Sequence, residues 1–301
     1  MANAQSITPE ELAQRLGLAD SIMQQFKNGE IVTKELEAST DKDLSLIVAA
    51  LLDTDIEKLW EFAEAERIHE IQDATLSAGS LDPANPSAGL EAMELTEDMV
   101  AKLMKNPHLS KDEANRVKEG SKHGKGAQVY KQILAERAQA YWEKGLDGII
   151  PYEGKGRSPK DDLAAATEVT LKFLKDPTSR EELKVVPSKS AHQDYHKLRW
   201  SIQQGNDLAA PTLIHVFRYK DERGFINISK QFYSGQDKDS SLIVAGVLPT
   251  CDGKSALFYT NHTYTSAVAG FGGSTKRTIG RKIMKGKLVD TFKKAQAIKL
   301  H

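Results

Sequence analysis

The sequence predicts an α+β protein: an antiparallel sheet followed by a long basic carboxy-terminal helix, with a mostly helical region in the middle. Three observations carry this. From Pro211 onward, four segments rich in β-branched and aromatic residues (212–219, 225–233, 241–248 and 256–265) are separated by short polar or glycine turns, as an antiparallel meander requires. Between about 96 and 200 the apolar residues recur mainly at helical spacing. After Gly270, Gly272 and Gly273, a helix to about Leu300 keeps Ile279, Ile283, Leu288, Phe292 and Ala295 on one side. Nine Lys or Arg lie between Lys276 and Lys299 against the single acid Asp290.

Each element has a local reason. Thr8-Pro9-Glu10-Glu11 opens a helix with a capping hydroxyl, a first-turn proline and carboxylates at the positive end of the dipole; it should stop near Asn28-Gly29. Residues 31–37 and 44–52 read as a hairpin around the polar turn 39–43, the second strand apolar enough to be central. Asp53 or Thr54 caps a helix carrying Ile56, Leu59, Trp60 and Ala63, with Trp60 in the core. The Ser, Pro, Gly and Asn content of 77–89 marks a loop and a boundary. Thr96 and Ser110 cap two further helices, Ser110 with Glu113 fitting a capping box, and the charged, glycine-bearing 118–126 reads as a mobile connector. Val129, Ile133, Arg137, Tyr141 and Trp142 form one helical face ending at Gly145. After Pro151, Gly154 and Gly156, Ser158-Pro159 starts a helix running to about Lys175, and Ser274 caps the last one. These elements divide the chain into 1–89, a helical insertion or subdomain over 90–200, and 201–301 completing the α+β unit.

Composition narrows the function classes. With 41 basic and 42 acidic residues in 301, the formal net charge is −1, so no global field points to nucleic acid or to an anionic membrane; any such surface has to be local. Cys251 is the only cysteine, which excludes an internal disulfide and a cysteine-based zinc cluster. The longest apolar runs are far shorter than the roughly 20 residues that cross a bilayer. Ala2-Asn3-Ala4 before Gln5 has the small-residue character of the end of a secretory signal, without the apolar segment that precedes one, and suggests an exported protein.

Three stretches carry a resemblance. Ile228-Ser229-Lys230-Gln231-Phe232-Tyr233, Phe258-Tyr259-Thr260-Asn261, and Gly270-Phe271-Gly272-Gly273 with Lys276-Arg277 resemble a family of functionally uncharacterised, mostly exported bacterial proteins. That family has a Ser-Lys-Gln-x-Tyr strand, a Tyr-x-Asn strand and a glycine-rich entry to a basic helix. The segment from Ala138 and Tyr141 through Gly145-Leu146 to Ile150-Pro151-Tyr152 is also similar, so the likeness spans about 130–290. The chain departs from it at Gln236, Asp237 and Lys238, and at His262, Thr263 and Tyr264. The resemblance implies a periplasmic or secreted address and no activity. At the level of fold, the order hairpin, helix, meander, long helix is similar to the helix-grip (START-like, polyketide-cyclase-like) proteins, in which a curved antiparallel sheet grips the last helix and hydrophobic ligands bind between the two.

Candidate chemistry is sparse. His192 and His196 would share one face if their segment were helical, as a metal site needs, but no third ligand is nameable and a solvated surface is the plainer reading. Gly270-x-Gly272-Gly273-Ser274 lacks the spacing of a nucleotide loop, and Cys251 sits in a turn beside Asp252, which disfavours a thiolate. There is no Gly-x-Ser-x-Gly elbow and no cofactor motif. On the strand 225–233, Gln231 and Tyr233 alternate onto one face and Lys230 onto the other. With His215, Tyr259, Asn261 and His262 from neighbouring strands, they are the candidate lining of a pocket, or else simply cross-strand partners.

The expected function is therefore an envelope protein binding a hydrophobic or amphipathic small molecule between sheet and final helix. The alternatives are an enzyme in the same cleft, with His215 or His262 as acid or base and Tyr233 or Lys230 assisting, and a structural or partner-binding protein without a ligand. The basic helix adds an anionic lipid surface as a partner in preference to nucleic acid.

Overall fold

In a computed structural model of the chain, residues 20–67, 74–153, 157–174, 176–205, 208–251 and 253–297 are described, the side chains of 20, 21 and 173 excepted. The helix start expected at Thr8-Pro9 lies outside these residues, as do Gly154, Gly156, Asp252 and Lys299.

Eight strands form one curved antiparallel sheet in the order β1-β2-β8-β7-β6-β5-β4-β3. They are β1 (Val32–Glu35), β2 (Asp43–Leu52), β3 (Thr75–Leu81), β4 (His196–Gln204), β5 (Ala209–Asp221), β6 (Gly224–Ser234), β7 (Ser240–Pro249) and β8 (Ser255–Tyr264). The amino-terminal hairpin thus joins the carboxy-terminal meander, with Asp43 opposite Tyr264 and Leu52 opposite Ser255. Every residue of β2 is buried because the strand is covered on both faces. Ala49 and Leu51 meet Phe26 of α1 (Asp20–Lys27), whereas Val48 and Ala50 meet Phe292 of α9 (Gly273–Ala297).

The helical middle covers the face of the sheet opposite α9. It comprises α3 (Pro86–Leu90), α4 (Glu97–Leu103), α5 (Lys111–Ser121), α6 (Gly126–Lys144), α7 (Pro159–Phe173) and α8 (Pro177–Glu182). Leu134, Ala138, Leu163 and Ala166 of these helices share one buried core with Leu198, Trp200, Phe217, Ile228 and Val244 of the strands. The caps follow the local chemistry. Thr96 accepts from Met99 N, Ser158 precedes Pro159 and accepts from Asp161 N, and both bonds of the Ser110/Glu113 capping box are made. Gly145 ends α6 at φ 59°, a conformation open to glycine at little cost.

Several expectations are corrected. The helix α2 (Ile56–Glu64) is capped by Asp55, the residue with the extended backbone, and not by Asp53 or Thr54. Trp60 is half-buried, lying edge-on to Phe225 at 5.5 Å. Residues 77–81, expected in a loop, belong to the edge strand β3, and 196–200, expected within the mostly helical middle, belong to β4. The connector expected over 118–126 shrinks to 122–125: α5 runs to Ser121 and α6 begins at Gly126. The last helix starts at Gly273, so Ser274 is inside it. Ile279 and Ile283 are 55% and 56% exposed instead of packing on the sheet. The helix approaches β2 through Gly280, where even a Cβ would lie only 3.0 Å from Leu44, and Leu288 and Phe292 pack on the sheet as expected.

Candidate functional site

The order of strands places three loops together at one end of the sheet: the turn after β6, the segment after β8, and the link between α4 and α5. Between them is a cavity of about 810 Å³ lined by Leu103, Asn106, His108, Arg157, Leu208 and Ser266, with Gly235 to Asp237 and Asp239 at one side. Lys102 and Lys105 also line it. Gln236 and Asp237, two of the residues at which the chain departs from the resembled family, therefore line the cavity.

His108 is the best-defined group in this wall. Its Nδ1 lies 2.9 Å from the carbonyl oxygen of Ser234, so this nitrogen carries the proton and donates it. Nε2 is then the lone-pair nitrogen of a ring that lines the cavity. Burial, with the nearby Arg157 guanidinium as the second cause, lowers the imidazole to about 4, so it is neutral at pH 7. Asp239 is held by Ser266, whose N and Oγ both donate to Oδ2, at 2.9 and 2.5 Å. Arg157 is held loosely: Nε is 3.6 Å from Asp239 Oδ1, and Nη1 is 3.5 Å from both Asn106 Oδ1 and the Glu153 carbonyl. At such distances its donors keep much of their hydrogen-bonding capacity.

Behind His108 the wall is aromatic. The Tyr152 ring centroid is 4.9 Å from that of His108; its hydroxyl donates to Asp239 O at 3.0 Å and accepts from Ser234 N at 3.0 Å. The Tyr233 and Tyr130 hydroxyls are 2.5 Å apart. The Arg137 guanidinium lies 5.1 Å from the Tyr233 ring centroid and 5.6 Å from that of Tyr152. It bonds Glu113 in a bidentate manner, Nε to Oε1 at 2.9 Å and Nη2 to Oε2 at 2.6 Å, and donates to Ile150 O at 2.9 Å. This buried pair ties α5 to α6 and braces the aromatic wall.

One turn beyond Arg137 on α6, a second polar chain is sealed in the core. Tyr141 OH lies 2.9 Å from His215 Nδ1, His215 Nε2 lies 2.8 Å from His196 Nδ1, and His196 Nε2 lies 2.9 Å from Glu182 Oε2. Ser190 Oγ donates to the same carboxylate. The carboxylate only accepts, so His196 Nε2 donates, His215 Nε2 donates to His196, and Tyr141 donates to His215. One proton per imidazole satisfies the whole chain. Burial lowers both imidazoles, which agrees with neutral rings. Beside them, Lys230 donates to Leu183 O at 2.6 Å, and burial lowers its ammonium to about 8. These contacts fasten α6 and α8 to β4, β5 and β6.

The residues expected to line one pocket are divided between the two faces of the sheet. Leu213 pairs with Tyr233 but Ile214 pairs with Gln231, so Phe232 is an extra residue in β6. This bulge turns Tyr233 to the helical side, where Lys230 and Phe232 also lie, so Gln231 and Tyr233 do not share a face as simple alternation predicts. His215 and His262 are on the helical side too. The latter is fully buried, with Nδ1 3.2 Å from Asp43 Oδ2. Gln231, Tyr259 and Asn261 face the α9 side, where Asn261 Nδ2 donates to Tyr259 OH and Thr263 Oγ1 donates to Asn261 Oδ1. His192 and His196 do not share a helical face: Gln193–Tyr195 is a single 3₁₀ turn, and the His192 ring stacks on Tyr195 while His196 enters the core. Among the described residues, no group of three His, Cys, Asp or Glu is placed to hold a metal ion.

Comparison of the chain with family models, with curated proteins and with solved structures gives no match.

Proposed function

We propose that the protein binds a small amphipathic anion in the cavity beside His108. The observation that carries this is the convergence of a neutral, tautomer-fixed imidazole and the loosely held Arg157 guanidinium on a wall that also holds Leu103 and Leu208. A guanidinium with spare donors pairs well with carboxylate or phosphate oxygens, and the leucines suit an apolar tail. On the other face, the space between β2, β8 and α9 is occupied by Val48, Ala50, Tyr259, Leu288 and Phe292, which supports a reading with the ligand at the loop end of the sheet in preference to one under the last helix. The element order, similar to that of helix-grip proteins, supports carriage of a ligand, and the resemblance to exported proteins supports an envelope address.

The test is a thermal-shift and calorimetric titration with decanoate and with inorganic phosphate, on the protein and on Arg157→Gln. The expected result is binding of at least one probe, weakened about tenfold or more by the substitution, in line with the loss of a charge-assisted pair. Equal binding by both proteins, or no binding of either probe, counts against the proposal. The lone pair on His108 Nε2 favours a second reading, in which the bound molecule loses a proton to that nitrogen. It requires turnover that His108→Gln abolishes while binding persists.

A further inference from the structure

We infer that the outer face of α9, together with the turn before it, docks on an anionic lipid surface. This does not rest on the proposed cavity ligand. Gly270 and Gly272 both adopt φ 72°, a left-handed conformation that suits glycine, and they turn the chain so that Phe271 is 102% exposed. A large aromatic held wholly in solvent between two such glycines has no packing role in this chain. Nearly two turns into the helix, Ile279 and Ile283 are spaced four apart and share a face, both more than half exposed.

Charge decides what this face meets. Lys276 and Lys282 lie three residues either side of Ile279, and Lys287 lies four after Ile283, so lysines flank the isoleucine pair on both sides. None of the three lysines makes an ion pair among the described residues. The arginines of the same helix behave differently: Arg277 turns back to donate to Asp41 O, and Arg281 reaches Glu35 at 3.4 Å. The guanidinium groups are thus used internally, whereas the ammonium groups of Lys276, Lys282 and Lys287 are presented. Asp290, the single acid of the helix, is 3.9 Å from Lys293.

An apolar line flanked by unpaired lysines is the pattern of a helix lying in a membrane interface, with ammonium groups reaching lipid phosphates while the apolar groups enter the acyl boundary. Three apolar side chains alone give weak attachment, so the lysines have to supply most of it, at about fivefold in binding for each. The cavity wall at Thr265 to Ala267 lies only four residues before Phe271, so docking would bring the mouth of that cavity near the lipid.

The experiment is co-sedimentation of the full chain with phosphatidylcholine vesicles and with vesicles of equal parts phosphatidylcholine and phosphatidylserine, at low and high salt. The variants are Lys282→Glu/Lys287→Glu and Phe271→Ser/Ile279→Ser/Ile283→Ser. All five side chains are solvent-facing, so circular dichroism should show each variant folded. The expected result is binding to the anionic vesicles only, reversed by salt and reduced at least about tenfold by either set of changes. No binding, equal binding to both vesicles, or binding that both variants retain overturns the inference. Preference for a duplex oligonucleotide over anionic vesicles overturns it too, and assigns the face to nucleic acid.

Discussion

At the scale of single residues, His108 makes stability depend on acid. In the unfolded chain its imidazole has the ordinary value near 6.5, and burial in the folded protein lowers it to about 4. The unfolded state therefore binds a proton more readily. Stability is full above 6.5, declines as pH falls through the interval between the two values, and has lost roughly 3 kcal/mol from this group once both states are protonated. His196 and His215 push in the same direction, whereas Asp162, raised to about 6 chiefly by burial, opposes them over part of that interval. Urea denaturation across the interval should show a shallower decline for His108→Gln, whose amide can still donate to Ser234 O; an unchanged slope would place the acid sensitivity elsewhere. None of this is legible in the sequence, because a lone histidine between Pro107 and Leu109 belongs to no pattern. His215 and His262, by contrast, stood out as strand residues, and their burial beneath the helices depends on contacts made across the sheet.

At the scale of elements, the Arg137–Glu113 pair is the brace between α5 and α6, and both partners are buried. Arg137→Leu would leave a carboxylate without its partner in the core, at a cost of roughly 3–5 kcal/mol, and Glu113→Gln should cost a similar amount, because its amide offers a single acceptor and no charge to a buried guanidinium that cannot lose its proton. Comparison of the two urea midpoints checks this. Most helices were legible from their caps and periodicity, since Ser110, Ser158, Thr96 and Gly145 act locally. The strand β4 was missed although its pattern is present: His196, Leu198, Trp200 and Ile202 alternate with more exposed Lys197, Arg199 and Gln203, but the helical reading of the middle region was carried across it. The weaker signal is β3, whose small residues Ser77, Ala78, Gly79 and Ser80 suit an edge strand under a tryptophan: a Cβ on Gly79 would meet the Trp200 ring at 2.7 Å. The bulge at Phe232 had no local signature. It changes the parity of β6, so that the Tyr233 hydroxyl reaches Tyr130 and not the α9 side.

At the scale of the whole molecule, the sheet is complete only when residues from the two ends of the chain pair. A chain beginning at Ile56 would lack β1 and β2, leaving β8 as an open edge and Phe292 of α9 without Val48 and Ala50. It should be insoluble or molten, with lost near-ultraviolet dichroism; a soluble, cooperatively melting product would show that the hairpin is dispensable. That β2 is an inner strand was readable from its unbroken apolar run, but its partner was not, because nothing in residues 43–52 names residues 255–264. The same pairing bears on biosynthesis. Asp43 and His262, which touch, are 219 positions apart, so the most apolar strand leaves the ribosome early and waits for nearly all the rest of the chain before it can be covered. Such distant closure makes folding slow and keeps a sticky segment available to chaperones throughout translation.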